Sequence, residues 1–467
     1  MPEKIRHAQP PLKFIPPHFN PVFLRLAQWC LPILLRFRLR PWLPAGIARV
    51  ETKNVETLGK MYQQFQSGKI RFLIAFRHPE VDDPLSVFYL LSRAVPKTGI
   101  DLKKPIHSYF VYDRGMTIWA GDWVGWLFSR LGGFPIRRGK RIDRRGLQTA
   151  REMLLNGKMP VAIAPEGATN GHSGTVSPLE PGVAQLAFWC VEDLHKANRG
   201  EEVFIIPITI QYSYLKPPWQ KIDWLLGKLE ADSGLPVKSN VIKDLNLEEN
   251  VEIYYSRLLC IAENLLSQME EFYQRFYHQK LAEISVDVSA SPSQIILARL
   301  HRLQDIGLQV AEQYFGVESQ GTFIDRCRRL EEAGWSYIYR EDLDLDSLPP
   351  LKRGLADWVA SEADLRMQHM RLVESFVAVT ANYITDKPVV ERLAETALLI
   401  FDVTARLQNN TLPGRPRLGL RQSTVTVGEP ISVTKRWCEY EKDKKSARQA
   451  VNNLTEDLHG TLQKMIS

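Results

Sequence analysis

The chain has 467 residues, 44% hydrophobic and 24% charged, the make-up of an ordinary globular protein of two or three domains. This excludes a disordered or multi-spanning polypeptide. The net charge of +7 suits an anionic partner, and the lack of any helix-turn-helix, zinc-finger or RNP-like signature favours acidic lipid over nucleic acid.

Five scattered cysteines with no Cys-x-x-Cys pair indicate neither a disulfide framework nor a zinc site, and fit reduced intracellular thiols. No histidine cluster has metal-ligand spacing, so no metal is expected.

In chain order, residues 1–21 are Pro-rich and are expected to be poorly ordered. Residues 22–35 are apolar but too short to span a bilayer, with Arg25 and Pro32 inside them. Mixed with Arg36, Arg38 and Arg40 and accompanied by Trp29 and Trp42, they read as an interfacial membrane helix. A helix packed on the protein body is the competing reading.

From Arg71 onward apolar runs at 72–76, 107–112, 134–136, 161–164 and 204–211 alternate with helical stretches such as 143–156 and 182–197. The alternation predicts an α/β fold with a mostly parallel sheet and flanking helices. Trp119, Trp123 and Trp126 are expected on one helical face, either buried or forming an interfacial belt. Residues 226–412 carry helical periodicity almost throughout, in stripes such as Leu258, Ile261, Leu265, Phe272 and Phe276, and Leu393, Ala397, Ile400, Val403 and Leu407. They predict a large all-helical region with core-facing stripes and a loop over 341–350. Strand signals return at 424–433, broken at Gly428-Glu429-Pro430, before a final helix.

Four motifs lie on the α/β frame. His78 and Asp83 stand at the exit of the apolar run 72–76 with four residues between them. A carboxylate so placed can fix the tautomer of an imidazole and stabilise its protonated form. The spacing alone equally suits a histidine capping a strand end. Gly132-Gly133 opens a short strand that ends in Arg137 and Arg138, guanidiniums suited to phosphate or carboxylate, or else a solvated basic loop. Pro165-Glu166-Gly167 ends the run 161–164, and Pro207 interrupts the run 204–211.

These blocks, in this order, resemble the glycerophospholipid acyltransferase family, which includes the lysophosphatidic acid acyltransferases. The family carries His-x-x-x-x-Asp, a Gly-x-x-x-x-x-Arg turn, a Pro-Glu-Gly block and an apolar block with an internal proline. Here they fall at His78–Asp83, Gly132–Arg138, Pro165–Gly167 and Ile206–Ile210. The resemblance spans about residues 40–225. Residues 427–431 also resemble the segment that closes the family's catalytic domain, which would make the helical region an insertion. The division implied is an N-terminal segment 1–45, an acyltransferase core 46–225, a helical insertion or second domain 226–412, and a returning segment 413–467.

The resemblance implies acyl transfer from a thioester, acyl-CoA or acyl carrier protein, to a hydroxyl of a glycerol-phosphate, lysophospholipid or related lipid. It implies no cofactor beyond that co-substrate. His78 is then the general base and Asp83 its orienter; Arg137 and Arg138 bind phosphate, Arg138 the stronger candidate; Glu166 and Gly167 shape acceptor binding. The expected setting is the cytoplasmic side of a membrane, peripheral or monotopic, on an anionic surface.

Ala168-Thr169 stand where relatives often carry Thr-Arg, and Glu180-Pro181 where a basic residue commonly precedes a helix-opening glycine. These departures leave a less charged acceptor open. The competing function is a non-catalytic lipid-binding or scaffold protein on the same fold. Gly171-His172-Ser173-Gly174-Thr175 lacks the final glycine and the preceding strand of a hydrolase elbow.

Overall fold

The structure, a computed structural model, describes residues 7–37, 46–137, 143–238, 247–287, 289–408, 410 and 414–466. They fall into two units. One, the sheet unit, takes in Phe14–Arg137, Asp143–Lys216 and the C-terminal segment from Gly419. The other, the helical unit, takes in Pro217–Leu418 and the described residues before Phe14.

The sheet unit opens with α1 (Pro21–Arg36), β1 (Ile47–Lys53), α2 (Val55–Gln66), β2 (Ile70–Phe76) and α3 (Asp83–Tyr89). Then come β3 (Tyr109–Asp113), α4 (Met116–Ala120), α5 (Asp122–Arg130), β4 (Gly133–Ile136), α6 (Arg144–Asn156) and β5 (Val161–Ile163). Helix α7 (Gly182–Lys196) and strand β6 (Glu202–Tyr214) complete its first part. The helical unit holds α8 (Trp219–Asp232), α9 (Leu247–Tyr277), α10 (Pro292–Phe315), α11 (Phe323–Ile338), α12 (Pro350–Glu374) and α13 (Val390–Leu407). The chain then returns with β7 (Arg421–Val427), β8 (Ile431–Ser432), α14 (Trp437–Tyr440) and α15 (Lys444–Ile466).

The eight strands form one sheet in the order β1-β7-β6-β2-β5-β3-β4, with β8 also on β6. The pairs β4-β3-β5-β2-β6 are all parallel, β7 runs antiparallel to β6, and β1 is parallel to β7. The fold is the mostly parallel α/β sheet with flanking helices expected from the alternation. Central β2 is buried at all seven positions. Its residues alternate between two cores. Leu73 and Ala75 face a cluster completed by α6, α7 and α15; Phe72, Ile74 and Phe76 face one completed by α1, α2 and α3. Burial on both faces is why the run reads as continuously apolar.

Several expectations need correction. Residues 9–20 are not free of structure: Gln9 pairs with Tyr339 in a parallel bridge within the helical unit. In the sheet unit His18 N donates to Ser129 O at 2.9 Å, and the Asn20 side chain caps α1 through Val22 N. The three tryptophans do not share one helix. Gly121, at φ 92°, breaks it, leaving Trp119 on α4 and Trp123 and Trp126 on α5. On α9, Leu258 and Ile261 are buried but Phe272 and Phe276 are exposed; the buried stripe has moved to Leu266 and Tyr273. A 31-residue helix outruns any single phase. Pro350 belongs to α12 as its first residue, where a missing N–H costs nothing. Edge strand β1 was not predicted, because Arg49 and Glu51 interrupt its apolar pattern.

Arg71, near the start of β2, ties the sheet to α6. Its buried guanidinium donates to the carbonyls of Leu154 (2.6 Å) and Gly157 (2.9 Å) at that helix's C-terminus. Arg71→Met strands both carbonyls and is expected to destabilise the protein by about 2–4 kcal/mol, read as a lowered denaturation midpoint.

In the helical unit His369 is clamped between Tyr273 Oη (2.7 Å) and Tyr277 Oη (3.1 Å). Burial pushes its pKa down to about 4. The folded ring therefore stays neutral while the unfolded ring takes a proton near pH 6.5, so stability falls as pH drops from about 6.5 towards 4. In chemical denaturation of the full chain, His369→Gln is expected to flatten that decline by about 3 kcal/mol.

Candidate active site

The parallel strands β2, β3, β4, β5 and β6 end on one edge of the sheet, where loops can gather side chains around a ligand. The ladder continues one residue past β2, with Arg77 N bonded to Ile208 O at 2.9 Å. His78 is thus the first residue to leave the sheet. Its Nδ1 lies 3.2 Å from Asp83 Oδ2. The Asp83 side chain is fully buried, whereas 22% of the His78 side chain is exposed. A carboxylate against Nδ1 favours the tautomer with its proton there, which leaves the lone pair on Nε2.

The turn between them is closed by its own backbone. Glu80 N donates to Asp83 Oδ2 at 2.6 Å, and Leu85 N to Asp82 O at 2.9 Å. Asp83 then starts α3, with Pro84 in its first turn. The Tyr212 hydroxyl, from β6, donates to the other oxygen, Asp83 Oδ1. Burial pushes the Asp83 pKa up, and the hydrogen bonds from His78, Tyr212 and Glu80 N oppose that rise.

Glu166, at the end of β5, is fully buried and faces inward. Its Oε2 accepts from His78 N at 2.7 Å. Its Oε1 accepts from Ser177 N at 3.0 Å and Arg77 Nη2 at 3.3 Å. Glu166 therefore grips the backbone of His78 and is not presented to an acceptor. Gly167 has φ 71°, and an added Cβ would collide with Glu180 Oε1, so the Glu180 carboxylate packs directly on this turn.

Arg137 lies at the same edge of the sheet, beyond β4. Three strand spacings, about 14 Å, separate β4 from β2. Asp143 accepts from Arg137 N at 2.8 Å and from Gly146 N at 3.0 Å, and also pairs with Arg114. The structure thus unites His78, Asp83, Glu166 and Gly167 in one cluster and sets Arg137 apart. Arg138 lies outside the described residues, as do Arg38, Arg40 and Trp42.

Three further residues complete the cluster. Arg77 is buried; its guanidinium donates to the carbonyls of Ser173 (2.7 Å), His172 (3.2 Å) and Thr175 as well as to Glu166. The segment resembling a hydrolase elbow is therefore a cage for Arg77. An arginine directly after the apolar run 72–76 must find such partners, and that was a usable signal. Tyr212 follows Ile206, Ile208 and Ile210 at period two, so its face was also readable. Arg421, from β7, pairs with Asp82 and Glu80, and no local pattern announces it. Among the described residues, no group of three or more His, Cys, Asp or Glu side chains could hold a metal ion.

No curated protein matches the chain. The family model described as Acyltransferase matches residues 51–211, so the stretch holding β2, His78, Asp83, Arg137 and Glu166 is similar to that family.

Proposed function

We propose that the protein moves a fatty acyl group from a thioester, acyl-CoA or acyl carrier protein, to a hydroxyl of a glycerol-phosphate, lysophospholipid or related lipid, with His78 as general base. The observation that carries this reading is the accessible His78 ring backed by the buried Asp83 at 3.2 Å. Nε2 takes the acceptor's hydroxyl proton as its oxygen attacks the thioester carbonyl carbon. The tetrahedral intermediate then collapses, the C–S bond breaks, and the imidazolium returns the proton to the departing thiolate. The acceptor is itself the nucleophile, so the enzyme needs no serine or cysteine. Glu166 and Arg77 hold the His78 backbone in place. Arg137, displaced along the same edge, suits a phosphate borne by either substrate some distance from the reacting carbon, with Arg138 beside it in sequence. The Glu180 carboxylate on Gly167 disfavours an anionic acceptor group at that turn.

The product would be made at a membrane surface. Leu24, Leu31 and Leu35 bury one face of α1; Val22, Leu26, Trp29 and Ile33, followed by Phe37, are exposed on another. Arg25 and Arg36 are exposed beside them. Exposed Trp126 packs edge-on against Phe23 of α1, with Arg130 over its ring, and Trp123 is exposed on the same short helix. Among the described residues no helix is long and apolar enough to cross a membrane. An apolar stripe with flanking arginines fits peripheral or monotopic binding to an anionic leaflet, as on the cytoplasmic side.

Purified protein is expected to consume palmitoyl-CoA or palmitoyl-acyl carrier protein in the presence of glycerol 3-phosphate, lysophosphatidic acid or an uncharged monoacylglycerol. His78→Ala should lower kcat about 100-fold or more. Equal turnover in both proteins would remove His78 as the general base, and no turnover in either would leave a non-catalytic lipid-binding protein on this fold.

The parent protein should float with vesicles containing phosphatidylglycerol. Leu26→Glu combined with Trp29→Glu should leave it in the dense fraction, and unchanged flotation would remove α1 from the membrane contact.

A further inference from the structure

Behind the His78–Asp83 pair lies a second layer from elements that lie wholly outside residues 51–211, or at their very end. Strand β6 is 13 residues long and outruns β2: Phe76 pairs with Ile208, so Tyr212 stands four residues, about 13 Å, further along. Alternation keeps Tyr212 on the face of Ile208 and Ile210, the face that α3 covers. Its hydroxyl reaches Asp83 Oδ1 there.

Strand β7 lies against this overhang. Tyr212 pairs with Ser423 and Tyr214 with Arg421, so Arg421 is the diagonal neighbour of Tyr212 on one face. The Arg421 guanidinium lies 4.4 Å from the Tyr212 ring centroid. Nη2 is 3.3 Å from Asp82 Oδ2, and Nη1 is 3.5 Å from Glu80 Oε1. Ser423 Oγ is 2.8 Å from Ser86 Oγ of α3, which fixes β7 against the helix that carries Asp83.

Glu80, Asp82 and Asp83 are all buried within four residues of one another. Three carboxylates out of water repel one another unless a cation stands among them. The groups facing Asp83 are His78, Glu80 and Asp82 from its own turn, Tyr212 from β6 and Arg421 from β7, with Tyr214 beside Arg421. Burial raises the Asp82 pKa to about 6, against the pull of Arg421.

We propose that Arg421 and Tyr212 are positioning residues for the catalytic pair: Arg421 neutralises Glu80 and Asp82 and braces the Tyr212 ring, and Tyr212 holds Asp83 ionised and aimed at His78. The C-terminal strand thereby completes the base from a point 339 residues beyond Asp82 in the chain. This inference rests on the general-base reading of His78.

The test is the pH profile of kcat for the full-length protein with palmitoyl-CoA and the acceptor on which the parent is active. Arg421→Met leaves negative charge unbalanced beside Asp83. Both the carboxylate and the imidazole then hold a proton to higher pH, so the acid limb moves up, by about one unit, and kcat falls about tenfold. KM should stay within about threefold, because neither residue is assigned a substrate contact. Arg421→Lys keeps the charge and should restore the limb to within about 0.3 units while recovering only part of kcat. Tyr212→Phe keeps the ring and loses the donor; its kcat should fall about fivefold with the limb again raised.

Cooperative thermal unfolding checks that each variant is folded. If Arg421→Met does not fold, Arg421→Lys and Tyr212→Phe decide the matter. Folded variants with the parent's kcat and an unmoved acid limb overturn the inference, as does a fall in kcat with no movement of the limb. A parent whose turnover does not depend on His78 removes the general-base reading and this inference with it. A His78-dependent parent with unchanged Arg421 and Tyr212 variants removes this inference alone.

Discussion

Charge held out of water at the exit of β2 is the constraint around which this site is built. Brought together there are Glu80, Asp82, Asp83 and Glu166, all buried, with the buried guanidinium of Arg77 and the mostly buried one of Arg421. Each carboxylate would be costly alone, and each is answered by a cation, a backbone N–H or a hydroxyl. The two arginines divide the work by position. Arg77 serves Glu166 and the loop carbonyls under the His78 backbone; Arg421 serves Glu80 and Asp82 beside Asp83. His78 is the member of the group left at the boundary with solvent.

This arrangement explains why the site sits where the strands end and not within them. A parallel sheet with both faces covered has little room for an ionised group unless free backbone groups receive it, as the carbonyls at the end of α6 receive Arg71. Only at the carboxyl ends of β2 and β5, where backbone groups become free, can Glu166 find N–H donors and Asp83 the turn that closes on it. The apolar regularity of β2 and the polar density beyond it are two sides of one division of labour.

Much of this was legible in the residues. The all-apolar run of β2, the His78–Asp83 spacing and the Pro165–Gly167 turn follow from periodicity and from what buried strands tolerate, and the parallel sheet follows from their alternation with helices. What escaped was non-local or context-dependent. Arg421 is one arginine among many in the linear chain, and its place beside Asp82 depends on strand pairing across the whole helical unit. From the sequence Glu166 reads as a group that binds acceptor hydroxyls or helps organise the site, and nothing in the chain says that it turns inward to an amide. Phe272 and Phe276 fit a helical stripe yet lie exposed, since a helix as long as α9 rotates its apolar face out of register with its neighbours.

The insertion of β7 between β1 and β6 has a bearing on how the molecule comes into being. Among the described strands β1 pairs with β7 alone, so it has no place in the sheet until residues 421–427 exist. On the ribosome, the residues through β6 would emerge with that strand as an open edge, β1 waiting, and no Arg421 behind Asp83. Synthesis itself then orders assembly: the segment that closes the sheet is made only after the helices α8 to α13. A chain released early would carry the His78–Asp83 motif without the strand that braces it.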